Sequence, residues 1–257
     1  MKRLFIIGSI LLLAVLAACG TESSPTLVDA TLPVIPIATA TPPATQEKTK
    51  VILSEESTPT PIQAEPVSTP EPILIVTQNL ETPWEIAFLP DGRMLVTERP
   101  GMLILVEENG LQIEIEDVYE RSESGLLGLA LHPDFVENQY LYIYLTYEAG
   151  SGLLNRVERY VFDGAALSDR TVIIDQIPGA ANHDGGRLEF GPDGMLYITT
   201  GDAGASASAQ DVNSLAGKVL RLQDDGSIPQ DNPFGNAVYS YGHRNPQGLA
   251  WDEQGQL

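Results

Sequence analysis

The chain has 257 residues, of which 43% are hydrophobic, and its formal net charge is −21 at pH 7. A protein this acidic is repelled by phosphate backbones, which argues against nucleic acid as a partner. The single cysteine excludes a disulfide framework and a cysteine-based zinc cluster. Any chemistry that needs an imidazole must use one of three histidines, which are His132, His183 and His243.

The first 19 residues predict an export signal. Lys2 and Arg3 precede an apolar run from Leu4 to Ala18, which has about 15 residues and is too short to span a bilayer comfortably. The run ends in Leu16-Ala17-Ala18-Cys19-Gly20, which resembles the cleavage and lipidation site of bacterial lipoproteins. We expect acylation of Cys19 and hence a lipid anchor in the cell membrane, on its periplasmic or extracellular face. The alternative is an ordinary secretory signal with an incidental cysteine.

Residues 20–71 form a second segment with a different composition. Threonine, proline, alanine and glutamate dominate, as in Thr39–Pro43 and Ser57–Pro61, and the segment has no aromatic residue. Such a sequence buries too little apolar surface to offset the entropy lost on ordering, and its prolines favour extended conformations. We predict a disordered tether that holds the folded part, residues 72–257, away from the membrane.

A turn built on Pro-Asp-Gly recurs in the remaining sequence. It is clearest in Ala87–Thr97 and Glu189–Thr199, with looser copies in Leu129–Tyr144 and Gly248–Leu257. Proline fixes φ at the corner, aspartate bonds its own backbone, and glycine accepts a positive φ, so the flanking apolar runs are expected to pair as hairpins. The steps between the turn aspartates are 43, 59 and 59 residues, for Asp91, Asp134, Asp193 and Asp252.

This recurrence predicts an all-β fold of the β-propeller class. Strand-rich units that repeat every 40 to 50 residues or so are typical of propeller blades, and residues 72–257 have room for about three to four. A β-sandwich would not explain the repeated turn, and no stretch has the periodicity of an amphipathic helix. Because the sequence stops at Leu257, where another strand is expected to begin, we expect a C-terminally truncated piece of a larger ring.

Three polar clusters are candidates for chemistry, and they are Asn182–Leu188, Gly201–Gly204 and Tyr241–Leu249. Within them His183 can be a base or a turn residue, and Asp202 can orient that base or only cap a turn. Arg244 can contact a ligand or serve as a structural ion-pair partner. Glycines beside these residues allow a ligand to approach the backbone closely. We interpret His132 and His243 as structural.

Six stretches together resemble the soluble pyrroloquinoline-quinone (PQQ) dependent aldose or glucose dehydrogenases, the glucose/sorbosone dehydrogenase family. The resemblance covers essentially all of residues 73–257, and the last stretch is the most specific. The stretches are Pro83–Gly92, Gly125–Phe135, Asn182–Leu188, Gly217–Arg221, Asp231–Phe234 and His243–Leu249. The resemblance implies a six-bladed propeller that oxidises a sugar by hydride transfer to PQQ.

The resemblance also implies roles for individual residues. His183 matches the general base, and Asp202 matches the carboxylate that orients it and stabilises its protonated form. Arg244 and Asn245 match residues that contact the quinone, where Arg244 would stabilise negative charge on the reduced cofactor. Glu123 stands where some members carry a glutamine, which leaves a sugar contact at this position open.

Calcium is the second cofactor that the resemblance implies. The family's calcium loop and most of its PQQ-binding basic residues match positions beyond Leu257, so we expect no metal site within this sequence and little activity from it alone. The particular sugar and the electron acceptor stay open. One alternative is a non-catalytic extracellular binding propeller of the Hedgehog-interacting type, and Glu123 is the residue that favours it. The other is a calcium-dependent lactonase, whose carboxylate cluster the sequence does not supply.

Overall fold

The computed structural model describes residues 73–107, 110–150 and 152–257. The predicted signal, Cys19 and the predicted tether lie outside the described residues, so these three predictions stay as they are. Among the residues that are described, no helix is long and apolar enough to cross a membrane.

Within these described ranges, twelve strands form three four-stranded antiparallel sheets, and each sheet takes its strands in chain order. The first sheet consists of β1 (Pro83–Phe88), β2 (Met94–Glu98), β3 (Met102–Val106) and β4 (Leu111–Glu114). The second consists of β5 (Leu126–Leu131), β6 (Tyr140–Ala149), β7 (Gly152–Phe162) and β8 (Leu167–Gly179). The third consists of β9 (Leu188–Phe190), β10 (Leu196–Thr200), β11 (Lys218–Leu222) and β12 (Val238–Tyr241).

In the described part of the chain, two short helices interrupt this pattern. They are α1 (Phe135–Asn138), between β5 and β6, and α2 (Ser206–Gln210), between β10 and β11. The first strands of neighbouring sheets contact one another, because β5 packs against β1 on one side and against β9 on the other. Sheets that meet through their first strands are propeller blades, so the all-β propeller prediction is confirmed, with three complete blades in the described residues.

The second blade is buried on both faces, which explains the apolar run in β6. Successive side chains of a strand point to opposite faces. Leu141 and Ile143 therefore pack into the core shared with the first blade, whereas Tyr142 and Tyr144 pack into the core shared with the third. All four side chains are fully buried.

The repeated turns close with the same main-chain hydrogen bonds. The Leu89 amide donates to the Arg93 carbonyl at 2.8 Å, and the Gly191 amide donates to Met195 at 2.9 Å. In both turns the third residue is the predicted aspartate, whose side chain accepts the amide hydrogen of the residue two positions on. The Pro-Asp-Gly hairpins are thus formed as the sequence predicts.

The other two copies are more divergent than the sequence pattern indicates. His132 occupies the first position of its turn, but its amide donates to Tyr140 at 2.9 Å because α1 is inserted. Asp252 also occupies the first position, since its amide donates to Gln256 at 2.9 Å. The predicted equivalence of Asp252 and Asp91 is therefore wrong by two residues. The aspartate still supports the turn, but by accepting the amide hydrogens of Gln254 and Gln256.

Candidate active site

The sheets present two different ends. We call the end that carries the turns beginning at Leu89, His132, Gly191 and Asp252 the turn end. The opposite end, which we call the site end, carries the loops before β5 and β9 and after β10 and β12. These four loops contain, in chain order, Glu123, His183, Asp202 and the pair Arg244-Asn245. Every predicted site residue among the described ones therefore lies at the site end.

The centre of the site is a histidine–carboxylate pair. His183 Nδ1 lies 2.8 Å from Asp202 Oδ1, and only 12% and 5% of the two side chains are exposed. Asp202 Oδ1 also accepts the Gly204 amide hydrogen at 2.9 Å. Asp202 thus caps its own turn and contacts the histidine at once, so the two interpretations of this residue are compatible.

The environment keeps Asp202 ionised. Burial acts to raise the pKa of its carboxyl, but hydrogen bonds from His183 and Gly204 and the positive charges of His183 and Arg244 outweigh it, so the pKa is lowered. A carboxylate only accepts hydrogen bonds, so His183 Nδ1 must be the donor. In the neutral ring Nε2 then carries the lone pair, and Nε2 has no hydrogen bond to the residues described. The pair therefore presents a potential proton acceptor.

Close backbone contact fixes the position of the histidine. His183 has a φ of +62°, a left-handed conformation that is uncommon outside glycine and is concentrated at functional sites. Its carbonyl accepts the Ala203 amide hydrogen at 3.1 Å. A Cβ placed on Gly201 would lie 1.6 Å from the same carbonyl oxygen. Glycine at 201 is thus required for the two loops to meet.

The loop after β12 completes the site. The Asp202 amide donates to the Arg244 carbonyl at 2.8 Å, and the Gly185 amide donates to Asn245 Oδ1 at 2.9 Å. These bonds attach Arg244 and Asn245 to the two loops that carry the histidine–carboxylate pair. The Arg244 side chain is exposed and has no ion pair or hydrogen bond to any residue in the described ranges. This observation favours a ligand contact over a structural ion pair.

Glu123 also belongs to this cluster. Its Oε2 accepts the His183 amide hydrogen at 2.9 Å and lies 3.4 Å from Asn245 Nδ2. Its own amide donates to the Ala181 carbonyl at 2.9 Å. Glu123 therefore links the loop before β5 to the other site loops, while a sugar contact at this position stays a prediction.

Sequence reasoning missed a buried network behind the histidine. Asp184 Oδ1 accepts hydrogen bonds from Asn155 Nδ2 and from the Ala180 amide, both at 3.0 Å, whereas its buried Oδ2 has no partner among the described residues. Burial, together with the charge of Glu123, raises the pKa of Asp184 despite those bonds and the charge of His183. The partner Asn155 lies 29 residues away inside β7, and no local signal in the sequence links the two.

The other two histidines have local structural contacts. His132 Nδ1 accepts the Asp134 amide hydrogen at 3.0 Å within the turn-end loop. His243 Nε2 lies 2.9 Å from Ser240 Oγ, and burial with the nearby charge of Lys218 lowers the pKa of His243. Both positions fit the structural interpretation.

The donors at the site suit an anionic, planar quinone. Arg244 offers an exposed guanidinium, Asn245 offers an amide, and His183 Nε2 lies with them at the site end. Calcium is different, because within the described ranges no three His, Cys, Asp or Glu side chains converge closely enough to hold a metal ion. The described residues therefore fit part of a PQQ site and do not define a calcium site.

Comparison with known proteins places this geometry in a family. The glucose/sorbosone dehydrogenase family model matches residues 80–257. Quinoprotein glucose dehydrogenase B of Acinetobacter calcoaceticus is 34% identical, covering 71% of this chain and 46% of that protein. Aldose sugar dehydrogenase YliI of Escherichia coli is 37% identical, covering 68% of this chain and 52% of that protein.

A solved structure agrees with these matches. The PQQ-bound aldose sugar dehydrogenase of Streptomyces coelicolor is 40% identical and superposes with a TM-score of 0.65, covering 70% of this chain and 56% of that one. The chain spans about half the length of the curated relatives it matches. Since the family model covers more than half of the sequence, the chain belongs to the glucose/sorbosone dehydrogenase family.

Proposed function

We propose that the protein oxidises an aldose sugar at its anomeric carbon, with PQQ as the hydride acceptor and calcium as a second cofactor. The observation that carries the proposal is the His183–Asp202 pair, with Nε2 unbonded among the described residues and with Arg244 and Asn245 on the adjoining loop. The relatives support it, because those reported are sugar dehydrogenases and one was solved with PQQ.

His183 acts as the general base in this proposal. Its Nε2 takes the proton of the anomeric hydroxyl as the C1–H bond breaks, so the substrate loses one proton and one hydride and becomes a lactone. PQQ, when bound, supplies the two-electron acceptor for that hydride. Asp202 stays ionised and stabilises the imidazolium that forms, while its bond to Nδ1 fixes the ring orientation. Arg244 and Asn245 would hold the quinone, through charge-assisted and amide hydrogen bonds respectively.

Reconstitution tests this proposal. The whole protein, loaded with PQQ and calcium, is expected to reduce an artificial electron acceptor when an aldose is added, and omission of PQQ should abolish the reaction. PQQ binding is measured separately, by titration of the apoprotein. If PQQ binds without any aldose oxidation, the substrate assignment is wrong. If no PQQ binds in the presence of calcium, a non-catalytic binding propeller is the better description.

We also propose that the protein is lipid-anchored through Cys19. Support comes from the sequence, in which the only cysteine ends an apolar run in a lipoprotein-like cleavage site. In a bacterial host the Cys19→Ser variant should move from the membrane fraction to the soluble fraction. An unchanged distribution would contradict the anchor.

A further inference from the structure

A buried lysine lies beneath the site loops. Lys218 begins β11 and is fully buried. Its Nζ donates to the main-chain carbonyls of Ser208 at 2.9 Å, Ala209 at 3.0 Å and Ala216 at 2.5 Å. All three acceptors belong to residues 201–217, the loop between β10 and β11 that carries Asp202. We call this segment the Asp202 loop.

Lys218 has three hydrogen-bond partners but no carboxylate in contact among the described residues. Burial lowers the pKa of its ammonium, and the attraction of Asp211 opposes this only at a distance. His243 faces it from the next loop, where the charge of Lys218 helps to lower the pKa of His243. Burying a cation without a counter-ion costs desolvation free energy. The groups that Lys218 binds must therefore explain why it is there. An ammonium has three donors, and here each meets one carbonyl.

The main chain that Lys218 holds supports both sides of the site. The Ala209 carbonyl also accepts the Gly242 amide hydrogen at 2.8 Å, which attaches the loop carrying Arg244. The Gly217 amide donates to Gly201 at 2.8 Å, and the His243 amide donates to Gly217 at 3.1 Å. The two ends of the Asp202 loop are thus bonded to each other and to the loop after β12.

We propose that Lys218 is a positioning residue, which holds the Asp202 loop and the loop after β12 so that Asp202 stays against His183 Nδ1. The expected effect of Lys218 on catalysis rests on the proposed function, in which the contact of Asp202 with His183 Nδ1 orients the base. Lys218 lies below the loop and acts through the main chain, so it touches neither sugar nor quinone.

The structural part of this proposal can be tested without cofactor. In Lys218→Met the amides of Asp202 and Gly242 should exchange with solvent at least about tenfold faster, because their loops open locally while the sheet stays folded. The matched control is Leu220→Ala, which removes a fully buried side chain two residues along the same strand. It should lower global stability and leave local exchange at these two amides unchanged.

Two results would overturn the positioning role. One is unchanged exchange at Asp202 and Gly242 in a folded Lys218→Met protein. The other is equal loop opening in the Leu220→Ala control, which would show a general loss of stability. If Lys218→Met does not fold, Lys218→Gln gives the same comparison, since it keeps an amide donor group without the charge.

A double-mutant cycle tests the link to chemistry in the PQQ-loaded protein. If Lys218 acts through Asp202, then Lys218→Met added to Asp202→Asn should lower kcat no further than Asp202→Asn alone. Leu220→Ala should combine additively with Asp202→Asn. Additive loss from Lys218→Met would contradict the proposed route. Because amide exchange needs no substrate, failure of the proposed sugar oxidation leaves the structural test intact.

Discussion

The turn end and the site end of the same three sheets differ in how their loops are held. At the turn end, Leu89–Arg93 and Gly191–Met195 close on themselves with the same main-chain bonds. At the site end, His183, Asp202 and Arg244 belong to three loops that bond to one another. A loop closed by its own residues repeats with the blade, whereas these three loops around the third sheet are held by bonds between separate loops. Chemistry is concentrated at the end where the structure is not repeated.

The largest effect is expected for the base itself. His183→Ala in the PQQ-loaded protein should lower kcat by about 10²- to 10⁴-fold, the usual contribution of a positioned general base. PQQ affinity should change far less, because a base acts mainly in the transition state. Steady-state kinetics and a PQQ titration measure the two effects. The matched turn-end variant His132→Ala should leave kcat unchanged, and equal losses would remove the distinction between the ends.

Asp202→Asn should give a kcat between those of wild type and His183→Ala, since it misorients the base without removing it. The same variant has a predicted stability signature. The folded pKa of Asp202 is lowered, so its stabilising contribution is present above the unfolded value near 3.8 and is lost as the pH falls through the folded pKa. Denaturation at a series of pH values should therefore give different free energies of unfolding for wild type and Asp202→Asn at neutral pH. The difference should disappear in strong acid. A constant gap would contradict the ionised pair.

Two glycine substitutions, one at each end of the sheets, test the comparison between the site end and the turn end. Gly201→Ala would place Cβ 1.6 Å from the His183 carbonyl oxygen, so the loops must separate, at a cost of about 1–3 kcal/mol or more. Gly194→Ala, at the turn end, meets no atom within 4 Å but has a φ of +76°, which costs about 1–2 kcal/mol. Only Gly201→Ala should also lower kcat. Equal activity in the two variants would show that contact between the loops is unimportant.

The difference between the ends explains how far the sequence predicts the structure. The Pro-Asp-Gly turns are local patterns, so the hairpins and the propeller class follow from them. Asp252 was misaligned because its turn keeps the backbone bonds but moves the aspartate from the third position to the first. The insertion of α1 in the turn of His132 was missed for a similar reason, since hydrophobic periodicity does not report a single helical turn.

The site could be predicted only through residues whose chemistry is unusual in a loop. Their residue types mark His183, Asp202 and Arg244 as candidates with two interpretations each, and only the family resemblance implies their roles. The structure brings the three together. The Asp184–Asn155 bond and the carbonyls bound by Lys218 were not found, because partners on other strands or on the main chain have no sequence signature. The left-handed backbone of His183 likewise depends on contacts from the Asp202 loop.

Nuclear magnetic resonance of the histidine rings can determine which ring nitrogen of His183 carries the proton. In the 257-residue chain labelled with 15N-histidine, three rings contribute signals, and the variants His132→Gln and His243→Gln identify the signal of His183. We expect the neutral His183 ring to carry its proton on Nδ1, with Nε2 unprotonated, and we expect the Asp202→Asn variant to contain a mixture of the two tautomers. A neutral ring protonated on Nε2 in the wild-type protein would contradict the account, because the proposed base would then have no lone pair facing its substrate.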